Sequence, residues 1–147
     1  MTISNSVEDY RYLQKTKPDD FMYSIAVARI YIKHKDFGNA QIEIDRLKKF
    51  QENERGLVYQ AILFNELENY NQAALTAIDM ALNKYPNSIE GLVTKGKILG
   101  KLGKEAEACQ TAMEAKSKIT LGYFGGQQRY LRDFDREIED LKSFYCK

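Results

Sequence analysis

The chain has 147 residues, enough for one domain with a buried core, and its 44% hydrophobic and 29% charged content excludes wholesale disorder. Its 22 basic and 21 acidic residues leave a formal charge of +1, so no overall field favours DNA or RNA. No run approaches the roughly 20 apolar residues of a membrane span, which argues against membrane insertion. The opening MTISNSVEDY has no basic head followed by an apolar stretch, so it does not read as a secretory signal.

Taken in chain order, Ser6 to Thr16 reads as a helix that stops before Pro18. Two helical segments follow, SIAVARIYI from Ser24 and FGNAQIEIDRL from Phe37. Two more, LVYQAILF from Leu57 and YNQAALTAIDMAL from Tyr70, precede Pro86. A third pair is LVTKGKIL from Leu92 and KEAEACQTAMEA from Lys104. The second members repeat at 34 residues: Ala40, Ala74 and Ala108 are followed four later by Ile44, Ile78 and Ala112. Leu47, Ala81 and Ala115 complete the same helical face. The first members each carry a small residue, Ala28, Ala61 or Gly96, with a larger one three later, Tyr31, Phe64 or Leu99. A small residue admits a facing helix and the larger one fills the space beside it. Pro18 and Pro86 stand 68 apart, twice the period.

This pattern resembles the tetratricopeptide repeat (TPR) family, whose signature is W-x2-L-G-x2-Y, then A-x3-F, then A, then P. Positions that match are Ser24, Val27, Ala28, Tyr31, Ala40, Ile44 and Leu47 in the first repeat. The second offers Leu57, Gln60, Ala61, Phe64, Ala74, Ile78, Ala81 and Pro86. The third offers Leu92, Lys95, Gly96, Leu99, Ala108, Ala112 and Ala115. The first aromatic is missing from every repeat, Gln60 and Lys95 replace the usual leucine, and one extra residue sits near Asn71. The resemblance covers roughly residues 6–120.

It implies an all-α, right-handed superhelical stack of antiparallel hairpins in a single domain of about eight helices. Residues 6–18 form a degenerate half-repeat, 21–52, 54–87 and 89–120 the three repeats, and 127–145 a capping helix. LGYFGGQQRYLRDF from Leu121 fits neither a phosphate loop nor a dinucleotide loop. Its Tyr123, Phe124, Arg129 and Arg132 are crowded by Asp133, Asp135 and Glu137, which disfavours nucleic acid. Gly122, Gly125 and Gly126 read instead as a joint. Beyond it, Tyr130, Phe134, Ile138, Leu141 and Tyr145 form an apolar stripe suited to covering the end of the stack, with Leu99, Leu102 and Met113 beneath.

No convergent set of catalytic, metal-binding or cofactor-binding residues stands out. His34 belongs to a polar turn, and acidic pairs such as Asp133 and Asp135, or Glu137 and Glu139, point to different sides of a helix. Cys109 reads as a small packing residue and Cys146 as an exposed thiol, with no CxxC or metal spacing, as in a reduced cytoplasmic protein.

The family's concave groove maps onto Met22, Ile25, Arg29 and Lys33 in the first repeat. Arg55, Val58, Tyr59, Ile62 and Asn65 follow in the second, and Glu90, Val93, Thr94, Lys97 and Lys101 in the third. The resemblance thus implies a non-catalytic adaptor or chaperone-like module holding a protein or peptide segment with apolar and acidic residues. The three-repeat size is shared with small chaperones of bacterial secretion systems. The carboxylate clamp of one TPR subclass is absent, because its places hold Ile25, Arg29, Tyr59, Glu90 and Thr94. The alternative is a homo-oligomer that pairs through Tyr130, Phe134 and Phe144.

Overall fold

A computed structural model describes residues 3–16, 22–49, 54–122 and 131–147. The described residues form eight helices and no strand. They are α1 (Ile3–Thr16), α2 (Met22–Lys33), α3 (Phe37–Leu47), α4 (Glu54–Glu66), α5 (Asn71–Lys84), α6 (Ile89–Lys101), α7 (Glu105–Thr120) and α8 (Leu131–Tyr145). None is long and apolar enough to cross a membrane. Pro18, Tyr123, Phe124, Gly125, Gly126, Arg129 and Tyr130 lie outside the described residues.

The 34-residue period is written into the backbone at the hairpin turns. Lys35, Asn69 and Gly103 stand 34 apart, and all three have positive φ, at 61°, 64° and 77°. In the first and third turns the next amide reaches five residues back, Asp36 N to Tyr31 O at 2.8 Å and Lys104 N to Leu99 O at 2.9 Å. These bonds end the first helix on a left-handed residue and satisfy its last carbonyls. The α4–α5 connection, 67–70, is one residue longer than 34–36 and 102–104. The starts of α3 and α6 carry short polar caps, whereas those of α5 and α7, at Tyr70 and Lys104, have no side-chain cap. Asp36 accepts from the Asn39 amide and Ser88 from the Gly91 amide at 3.0 Å.

Each helix packs on its chain neighbour, and α2, α4, α6 and α8 also touch in series. The even-numbered helices therefore form an inner layer, while α3, α5 and α7 lie outside it with Ile42, Met80 and Met113 exposed. The core is three linked clusters. Ile25 and Ala28 meet Ala40, Ile44 and Leu47 under Tyr59 and Leu63. Val58 and Ala61 meet Ala74, Ile78 and Ala81 under Ile98 and Leu99. Ile89, Leu92 and Val93 meet Ala112 and Ala115 under Phe134, Ile138 and Leu141. Each cluster joins one hairpin to the next helix, so no hairpin buries its face alone.

Both departures from the leucine position have polar partners on the preceding hairpin. Gln60 exchanges two amide hydrogen bonds with Gln41, at 2.8 and 2.9 Å, and Lys95 pairs with Asp79 at 2.8 Å. α1 is held by polarity too. Gln14 donates to Ser24 Oγ at 2.9 Å, and Arg11 forms an ion pair with the fully buried Glu43, which Arg46 also meets at 3.3 Å. Glu43 sits three residues after Ala40 on the buried face of α3, and an acidic residue at that place is a sequence trace of this network.

Two expectations about the C-terminal region need correction. Cys109 and Cys146 are joined in a disulfide that spans 37 residues, so Cys146 is no free thiol and Cys109 is more than a packing residue. The physical reason is that α7 and α8 lie side by side, with Cys109 near the start of one and Cys146 just past the end of the other. The bridge removes the support that separate thiols lent to a reduced, cytoplasmic protein. The surface beneath α8 also differs. Its stripe covers Ile89, Leu92 and Val93, while Tyr145 reaches the neighbouring cluster to which Leu99 and Leu102 belong, and Met113 remains 56% exposed. Gly96 and Gly100 make room for α8: a Cβ on Gly96 would stand 2.9 Å from Leu141, and one on Gly100 would collide with the Tyr145 ring.

Candidate partner-binding groove

Between α2, α4, α6 and α8 lies an open groove of about 250 Å³. Of the residues expected there, Arg29, Lys33, Tyr59, Ile62, Asn65, Glu90, Val93, Thr94 and Lys97 line it. The others fall elsewhere. Ile25 is buried in the first cluster and Val58 in the second. Arg55 is 7% exposed and held against Glu90. Lys101 donates to the Asn65 carbonyl at 2.8 Å. Met22 opens α2, and its side chain lies outside what is described.

Ile32, Glu66, Phe134 and Glu137 also line the groove. The last two come from α8, so the terminal helix is a wall of the groove as well as a cover for the third core cluster. Phe134 is 4% exposed and belongs to the core of its own chain, which takes it out of any pairing between protomers. Phe144 is 68% exposed. No sequence pattern marks Phe134 or Glu137 as groove residues, because that role depends on where α8 lands.

The floor is a polar network that ties three helices together. Arg29 on α2 donates through Nε to Tyr59 Oη on α4 at 2.5 Å, and Tyr59 in turn faces Glu90 on α6 at 3.4 Å. The Arg29 and Arg55 guanidinium groups stand 3.5 and 3.6 Å from the Glu90 carboxylate. Burial pushes the Glu90 carboxyl above its ordinary value, with the two arginines pulling back. Burial, and then the Glu90 charge, also pushes the Tyr59 phenol up. The two arginines and Tyr59 thus link α2, α4 and α6 through Glu90, although burial outweighs their attraction for its charge.

This arrangement changes the charge expected of the groove. Arg29 and Arg55 face Glu90, and Lys97 pairs with Glu137 at 2.7 Å. Glu66 adds a further negative charge at the rim. The groove is nearly balanced rather than basic, with Lys33 and Glu66 both exposed in its lining. His34 is exposed, and no group of three metal-ligating side chains occurs among the described residues.

No protein-family model, curated protein or solved structure matches the chain.

Proposed function

We propose that this chain is a TPR-like stack of helical hairpins that acts as a non-catalytic protein-interaction module. Its groove between α2, α4, α6 and α8 holds a short segment of a partner protein. The observation that carries this reading is the groove itself, where the half-buried Ile32 and Ile62 offer apolar surface in front of the buried Val93 and Phe134, beside Asn65, Thr94 and Lys33. Apolar surface with a few fixed polar groups suits one or two anchoring side chains of a peptide. The balanced charge favours a segment carrying both signs, one to meet Lys33 and one to meet Glu66, over a purely acidic one. Adaptor and chaperone-like roles both follow from such a groove, and a cytoplasmic setting would require the bridge to persist or cycle there.

Lys33→Glu and Glu66→Lys test it. Both side chains are exposed, so each change should leave stability within about 0.5 kcal/mol. A partner captured by the parent chain and then purified should lose affinity at least tenfold with either variant. Unchanged affinity in both would move the reading to a self-associating module, for which the exposed Phe144 is the starting point.

A further inference from the structure

The Cys109–Cys146 bridge takes no part in the groove, yet it fastens the helix that forms one of its walls. α8 is attached at its N-terminal end by the chain and at its C-terminal end by the bridge. A helix pinned at both ends cannot swing away from the surface it covers; a helix pinned at one end can. Without the bridge, α8 is held by the burial of Phe134, Ile138 and Leu141 and by polar ties that are weak in water. In Lys97–Glu137 and Lys116–Asp135 every partner is at least 38% exposed. α8 has 15 residues, close to the length at which a helix is marginal without its packing.

We propose that the bridge is a redox latch on the groove, closed when oxidised and released by a dithiol reductant. In the step, a thiolate of the dithiol attacks one bridge sulfur, breaking the S–S bond to give a mixed disulfide and a cysteine thiolate. The second thiolate of the reductant displaces the other cysteine. The two cysteines gain two electrons and two protons, and the reductant leaves as its cyclic disulfide. Each excursion of the released α8 takes the Phe134 and Glu137 wall away and uncovers the α6–α7 face around Leu92 and Val93, while the burial of Phe134, Ile138 and Leu141 draws the helix back. As regulation of partner binding this rests on the groove reading above, but the motion itself does not.

Hydrogen exchange read by mass spectrometry on the full chain tests it, comparing air-oxidised protein with protein held in dithiothreitol. Reduction should speed exchange in α8 at least tenfold, leave α2–α5 unchanged, and raise the fluorescence of added anilinonaphthalene sulfonate. A Cys109→Ser, Cys146→Ser double variant should match the reduced parent with or without dithiothreitol. Unchanged α8 exchange on reduction would overturn the proposal. Equal acceleration in every helix would do the same, since the bridge would then be a general staple. Failure of the bridge to form in air is equally decisive against it. Lys33→Glu and Glu66→Lys should leave this exchange pattern alone, so loss of the partner site and loss of the latch give different results.

Discussion

At the scale of single residues, Lys35 holds a backbone conformation that glycine holds at the equivalent place two turns on. Lys35 has φ 61° and Gly103 φ 77°, and a left-handed residue with a Cβ costs about 1–2 kcal/mol. Lys35→Gly should therefore raise stability by about 1 kcal/mol, and Gly103→Ala should lower it by a similar amount. No atom lies within 4 Å of a Cβ built on Gly103, so that loss would come from the backbone angle alone. Denaturant titration of the two variants checks both signs. Glu90 carries a second residue-scale prediction. Its folded-state pKa lies above the ordinary carboxylate value of 4.5, so its stabilising contribution is present below that value and lost as pH rises through the folded one. Glu90→Gln removes this dependence. Relative to the parent, the variant should gain stability as the pH is raised from about 4 to 7. Melting curves that keep a constant gap across that range would refute the shift.

At the scale of elements, the hairpins depend on alanine where two helices cross. Ala74 and Ala108 are completely buried and belong to one cluster with Ile78 and Leu99. Ala74→Leu or Ala108→Leu adds volume with no space to receive it and should cost about 1–3 kcal/mol. Parent-like thermal melts for both would mean that the crossings lie elsewhere. The α7–α8 pair has a different fastening. A bridge spanning 37 residues restricts the unfolded chain, and a chain-entropy model values that at about 4 kcal/mol. Reduced protein should melt lower by up to that equivalent, as calorimetry with and without reductant would register.

At the scale of the whole molecule, each cluster is completed by the hairpin or helix that follows it, and the last is completed by α8. Removing residues 131–147 would strip Phe134, Ile138 and Leu141 from Ile89, Leu92 and Val93. The bare face should make the shortened chain aggregate or melt markedly lower. Sedimentation that finds a stable monomer with an unchanged melting point would show α8 to be an appendage. The groove belongs to this scale as well, because its walls come from four helices and no single hairpin contains it.

The residues themselves determined the number of helices, their order and the 34-residue period. These follow from local regularities: apolar spacing within a helix, small residues at crossings and the signals that end a helix. Local patterns could place Ala40, Ala74 and Ala108 on buried faces, and the structure finds all three fully buried. They could not show that Arg55, Tyr59 and Glu90 are inside, since polar residues on an inner layer look like groove residues until their partners are known. Nor could they pair Cys109 with Cys146. That pairing needs α7 and α8 to lie side by side in one register, which depends on how a stripe of Phe134, Ile138 and Leu141 meets a surface built from two other helices. Only the packed chain decides where that stripe settles, and with it the wall of the groove.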